Sequence, residues 1–172
     1  MRNRVYIKDL KDNVGKEVII AGWVDVRRDQ GKMVFFDMRD MTGKVQGVIL
    51  PSYKEVIEKA KPIRLEWVLK ITGKVNARPP KNVKAGVMNG DIELEITGIE
   101  VLAPAEPLPF DMSESGYNLE LTTELDNRAL VLRHPKVQAV FRVQETIIDA
   151  FREFMKKNMF FEFQAPSITP AV

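Results

Sequence analysis

The order of β-rich runs in the first hundred residues restricts the fold more than anything else in this chain. Residues 17–26 (EVIIAGWVDV) form the first run, and residues 33–38 follow after the turn-forming Asp29, Gln30 and Gly31, a spacing that predicts a hairpin. A third run, residues 44–50 (KVQGVIL), comes directly after Thr42 and Gly43, so three strands joined by short polar turns make a meander. In residues 53–61 (YKEVIEKAK), Val56, Ile57 and Ala60 fall at helical spacing, Glu55 and Lys59 stand four apart as an ion pair, and Pro62 ends the helix. Residues 66–75 (EWVLKITGKV) and 91–101 (DIELEITGIEV) are again β-rich. The second alternates Ile92, Leu94 and Ile96 against Glu93, Glu95 and Thr97.

The resulting string, β-β-β-α-β-β, is the element order of the five-stranded OB-fold, a small Greek-key barrel that takes ligands on strands 2 and 3 and on nearby loops. An SH3-like barrel or part of a larger sandwich gives a similar string, and order alone leaves both open. The segment APAEPLPFD at residues 103–111 carries three prolines and no regular period, which predicts an extended linker. The barrel is therefore expected over residues 1–103, a hinge over 104–126, and the start of a second domain over 127–172. That second part begins with a helix from Pro135 whose apolar face runs through Val137, Val140, Phe141, Val143, Ile147, Ile148, Phe151, Phe154 and Met155. A strand is expected over Phe160 to Phe163, bounded by Pro166 and Pro170. So wide an apolar stripe has no further sequence here to complete a core. It packs on the barrel, pairs with another chain, or lacks the rest of its domain; the pattern favours the last two together.

Composition excludes several function classes. With 45% hydrophobic and 29% charged residues the chain can bury a core. No apolar run approaches a membrane span, and MRNRVYIKDL has no signal-peptide pattern. With no cysteine and one histidine, His134, neither a thiolate metal site, a Ser-His-Asp triad nor a multi-histidine centre is expected. The absence of disulfides fits the cytoplasm. The net charge of +2 conceals blocks. Residues 1–86 hold nineteen Lys/Arg against ten Asp/Glu, whereas residues 87–126 hold ten acids and no base. A basic first block suits a polyanion such as nucleic acid, although a solvated basic surface with no partner gives the same count.

The candidate recognition residues sit in Gly22 to Leu50. Arg27 and Arg28 carry planar, permanently charged groups that can take a phosphate or a base edge. Strand alternation sends one of Phe35 and Phe36 into the core and the other outward, where a phenylalanine offers a stacking platform for an unpaired base. Gln46 offers both a donor and an acceptor for a Watson-Crick edge. The plainer readings are a core phenylalanine, an exposed strand glutamine, and a turn-stabilising network for Asp37, Arg39 and Asp40.

The string formed by Gly22, Trp23, Val24, Arg28, Asp29, Gly31, Phe35, Asp37, Arg39, Asp40, Gly43 and Gln46 resembles the anticodon-binding domain of aspartyl-tRNA synthetases. Pro107, Leu108, Pro109 and Phe110 resemble that family's hinge, and LDNRALVLRHP, residues 125–135, its passage into the catalytic domain. The helix followed by FFEFQAPSITP is similar to class II motif 1, with Pro166 matching the motif's proline and Phe151 and Phe154 on the expected dimer face.

The resemblance implies that Phe35 stacks on the middle uridine of the anticodon, that Gln46 hydrogen-bonds the same base, and that Arg28 contacts the backbone or a base edge. It places Arg78, Asn82 and Glu93 where the family reads the outer anticodon bases. Gln30 departs from the leucine or histidine common at that turn, which leaves acceptance of asparagine tRNA beside aspartate tRNA open. Motifs 2 and 3, which hold ATP, have no counterpart, so the resemblance implies a fragment of an aspartate-tRNA ligase that is inactive alone and has no catalytic or metal-binding residue of its own. ATP and Mg are expected for the full-length enzyme. The implied partners are tRNA and a second copy through motif 1, with no DNA and no membrane. A stand-alone OB-fold nucleic-acid-binding module, or part of an asparaginyl-tRNA synthetase, is the alternative.

Overall fold

The computed structural model describes residues 4–112 and 118–164 and divides into two compact units, Met1–Pro107 and Leu108–Val172. The first unit contains β1 (Glu17–Gln30), β2 (Met33–Asp40), β3 (Gly43–Ile49), α1 (Lys54–Ala60), β4 (Val68–Ala77) and β5 (Ile92–Ala103). The strands close into a barrel in the order β1-β2-β3-β5-β4, the five-stranded OB-fold. All pairs are antiparallel except β3 with β5, which run parallel where Gly47 meets Leu94 and Val48 meets Glu95.

Period-two alternation builds the core. Ile20, Val24, Phe36, Met38, Leu69, Ile71, Leu94 and Ile96 are fully buried, while Asp37, Lys70 and Glu95 between them on β2, β4 and β5 are partly exposed. Ile7 and Leu10, from a 3-10 turn over Ile7–Asn13, and Val56, Ala60 and Ile63, in and after α1, pack onto the same cluster.

One boundary and one irregularity within β1 differ from expectation, and both bear on function. β1 does not end at Val26 but runs to Gln30, with Arg28, Asp29 and Gln30 paired to Phe35, Val34 and Met33. The reversal is the two residues Gly31 and Lys32, and Gly31 takes φ 61°, the left-handed conformation a tight hairpin needs. Within β1, Val24 opposes Met38 and Val26 opposes Asp37, so Asp25 is one extra residue, a β-bulge. The bulge inverts the phase of the strand: Val24 points into the core, yet Arg28 lies opposite the outward-facing Phe35 and Arg27 opposite the inward-facing Phe36.

The second unit contains α2 (Leu121–Asp126), α3 (Arg128–Val131) and α4 (Pro135–Lys157). His134 caps α4, its Nδ1 accepting from the Lys136 N–H at 3.2 Å, and Pro135 occupies the first turn, where its missing N–H costs nothing. No residue of α4 is buried. The strand expected over Phe160 to Phe163 does not form. A strand needs a ladder, and no described residue supplies one; instead Met159 turns the backbone at φ 65° and Glu162 accepts three hydrogen bonds from Arg152 on α4. Pro166 and Pro170 lie outside the described residues. Among the described residues no helix is long and apolar enough to cross a membrane.

Candidate nucleic-acid interface

Two rows of outward side chains cross the barrel, fixed by strand register. One runs from Arg28 on β1 to Phe35 on β2, Val48 on β3, which is itself covered, and Glu95 on β5. The other runs from Asp37 on β2 to Gln46 on β3, and on β5 Glu93 lies beside it, two residues before Glu95, with Asn76 of β4 beyond. Phe36 is fully buried whereas Phe35 is only half-buried, so the pair divides between core and surface.

The segment between β4 and β5 folds over the end of these rows. Arg28, Gln30, Phe35, Gln46, Arg78, Asn82, Lys84 and Glu93 then line one open groove of about 390 Å³, a volume in the range of small-molecule-sized sites. All six residues expected to read an anticodon, Arg28, Phe35, Gln46, Arg78, Asn82 and Glu93, meet there, although Arg28 and Glu93 are 65 positions apart in the sequence.

Polar contacts hold the groove open and set its charge. Arg28, the cross-strand partner of Phe35, donates to Asp37 at 2.9 Å. The buried Arg78 side chain lies 3.9 Å from the Glu93 carboxylate, and its backbone N–H is anchored to the Asp91 carbonyl at 2.8 Å. Lys84 Nζ donates to Gln46 Oε1 at 3.0 Å. Three cations against one carboxylate give the lining a positive bias suited to a polyanion. Glu95 is not free to join Glu93, because Tyr53 Oη and Asn76 Nδ2 each donate to it at 2.9 Å. That bond to a carboxylate, with partial burial, holds the Tyr53 hydroxyl above its ordinary pKa.

Arg27, read from the sequence as a second phosphate or base-edge ligand, is committed elsewhere. The bulge turns it away from the groove, and its guanidinium donates to the carbonyls of Ala60, Lys61 and Ile63 at 3.0, 2.9 and 2.7 Å, closing the C-terminal end of α1. Asp40 and Arg39 are also structural. Asp40 accepts from the Thr42 N–H and hydroxyl and from the Ile7 N–H, and Arg39 is clasped by Glu66 and Asp25. Lys84 is the groove residue that sequence reasoning passed over. The only local signal was its place in a basic loop of the right barrel.

Exposed aromatic and aliphatic residues mark the second unit. Phe151 and Phe154 are 63% and 64% exposed on α4, with Val140, Val143 and Ile147 exposed to a similar degree. In a water-soluble domain such a stripe is an unusual surface.

Comparison with known proteins gives the same division of the chain. Residues 18–102 match the family model of the OB-fold nucleic acid binding domain, of the tRNA anticodon kind, and residues 120–172 match that of the class II tRNA synthetases (D, K and N). The chain is 37% identical over 171 residues to the aspartate–tRNA(Asp/Asn) ligase of Natranaerobius thermophilus, covering 98% of this chain and 29% of the relative. It is 36% identical over 157 residues to the aspartate–tRNA ligase of Bacillus licheniformis, covering 91% of this chain and 26% of that protein. Among solved structures, the aspartyl-tRNA synthetase of Entamoeba histolytica superposes with a TM-score of 0.82 at 27% identity, over 96% of this chain and 39% of that one. The asparaginyl-tRNA synthetase of Pyrococcus horikoshii superposes with a TM-score of 0.80 at 31% identity, over 96% and 37%. The chain therefore spans between a quarter and a third of the curated relatives' length.

Proposed function

The chain belongs to the class II tRNA synthetases of the D, K and N group, carrying the anticodon-binding OB domain and the start of the synthetase domain, and we propose that its barrel reads the anticodon of an aspartate tRNA. The observation that carries the reading is the convergence of Arg28, Phe35, Gln46, Arg78, Asn82 and Glu93 on one positively biased groove. An unpaired base stacks on the exposed face of Phe35, with Gln46 at its hydrogen-bonding edge. Arg28 flanks the ring and meets the backbone or a neighbouring base edge. Arg78 and Asn82, from the end of β4 and the segment after it, and Glu93, beside Gln46 on β5, offer forked donors, an amide and a carboxylate to the outer bases. Basic residues of the first 86 outside the contacts described above neutralise phosphates nearby, a contribution that falls with salt.

The whole protein, in this reading, attaches aspartate to tRNA with ATP and Mg in a part of the synthetase domain outside these residues, and works in the cytoplasm. Its exposed α4 face, including Phe151 and Phe154, meets a second copy. Asparagine tRNA is a second substrate to be tested, because Gln30 lines the groove and a relative's name couples both tRNAs.

Titration of the chain with aspartate and asparagine tRNAs over a salt series tests the reading. It expects binding that depends on the anticodon and weakens steadily with salt. Absence of binding, or equal affinity for a control tRNA whose anticodon lacks the middle uridine, refutes it. Equal affinity for the two tRNAs assigns the broader specificity.

A further inference from the structure

We infer that Lys84 is a positioning residue that fixes which way round the Gln46 carboxamide faces, and so makes an otherwise ambivalent side chain distinguish uracil from cytosine. The inference rests on the anticodon-reading role proposed above. The two ends of a glutamine amide are nearly the same size, and one donates while the other accepts. Turned one way, the amide donates to the exocyclic oxygen of uracil and accepts from its N3–H; turned the other way, the same atoms meet N3 and the amino group of cytosine. A freely rotating glutamine above a stacked pyrimidine therefore serves both bases.

Lys84 removes that freedom. An ammonium group only donates, so the carbonyl end of Gln46 alone can face it, and Lys84 Nζ lies 3.0 Å from Gln46 Oε1. The Oε1 atom keeps a second lone pair for the base, and both amide hydrogens stay available. Among the described residues no carboxylate pairs with Lys84, so its charge is directed at the amide alone.

The loop that presents Lys84 is itself fastened to the strand carrying Gln46. The Lys84 N–H donates to the Gly90 carbonyl at 3.0 Å, and a side chain at Gly90 would collide with the Lys84 carbonyl, which holds the loop in a tight return. Asn89, 2% exposed, donates from its side-chain amide to the Ile7 carbonyl at 3.2 Å and to the Lys44 carbonyl at 3.0 Å, and Lys44 stands two residues before Gln46 on β3. Met88 packs over Gly43 at the start of that strand. Lys84 therefore reaches Gln46 from a rigid base.

The test compares two anticodon stem-loops, identical except for uracil or cytosine at the middle position, on the unaltered chain and on Lys84→Met and Lys84→Arg. The unaltered chain prefers uracil. Lys84→Met lowers that preference by roughly fivefold or more, chiefly by gaining affinity for the cytosine RNA, and Lys84→Arg, another pure donor, restores it. Equal weakening of both RNAs with a shallower salt dependence makes Lys84 a phosphate ligand and overturns the inference, as does an unchanged preference in Lys84→Met. Failure of the underlying reading looks different: the unaltered chain binds neither stem-loop, or binds them as well after Phe35→Ala, and this inference falls with it.

Discussion

Phe35 and Phe36 are adjacent in sequence, and the structure assigns them opposite consequences on truncation. Phe36 is fully buried in the barrel core, so Phe36→Ala removes a large side chain and leaves a cavity, at a cost of about 3–5 kcal/mol of folding stability. Phe35 is half-buried on the outer face, and its truncation costs about 1 kcal/mol in lost burial. What it loses is the ring on which a base lies, worth about 1–3 kcal/mol, or roughly a five- to 150-fold rise in Kd for an aspartate-type anticodon stem-loop. Urea denaturation followed by intrinsic fluorescence gives the stability of each variant, and titration of a labelled stem-loop gives its affinity. The expected pattern is crossed: Phe36→Ala is strongly destabilised, whereas Phe35→Ala is folded and binds weakly. A Phe35→Ala protein with unchanged affinity refutes the stacking role. One that is as unstable as Phe36→Ala refutes the assignment of faces.

Arg27 and Arg28 make a second adjacent pair with opposite roles. Arg27→Ala removes one donor from each of three carbonyls at and after the end of α1, which keep the Ile63 N–H and the Arg64 guanidinium as second donors, and lowers stability by about 0.5–1.5 kcal/mol with little change in RNA affinity, while Arg28→Ala does the reverse; denaturation and titration of both variants check this. The Asp91 carboxyl is held below its ordinary pKa first by the hydrogen bond from Lys11 at 2.8 Å and then by its own backbone bond. Its contribution to stability is therefore complete above the ordinary carboxylate pKa and disappears as pH falls through the lowered value. Lys11→Ala moves the Asp91 titration, followed by carboxyl carbon NMR, up toward the ordinary aspartate value. An unmoved midpoint contradicts the assigned cause. Replacing Phe151 and Phe154 together by serine, or ending the chain after Asp111, abolishes self-association in sedimentation without affecting stem-loop binding. A persistent dimer removes α4 from the proposed interface.

The strands and their order were legible because their signals are local. Alternation such as Ile92, Leu94 and Ile96 against acids, and turn residues such as Thr42-Gly43, need no knowledge of distant neighbours. That one of Phe35 and Phe36 faces outward also followed from alternation, whereas the choice of Phe35 rested on the family resemblance alone. What was not legible depends on contacts far apart in the chain. Nothing in RRDQG announces the bulge at Asp25, which separates Arg27 from Arg28 by inverting the phase of β1. Arg27 finds its carbonyls 33 to 36 residues away, and Lys84 reaches Gln46 across 38. The β-rich FFEF string near the end was misleading for a related reason: propensity proposes a strand, but only a neighbouring ladder makes one.

The most direct test of the central claim leaves the protein unaltered and changes the RNA. An anticodon stem-loop with its middle base intact and one with that base removed, leaving the sugar and phosphate, are titrated against the chain at one salt concentration. The intact stem-loop should bind tighter by roughly five- to 150-fold, because only the base can lie on Phe35. Equal affinities would mean that the groove holds a backbone and reads no base.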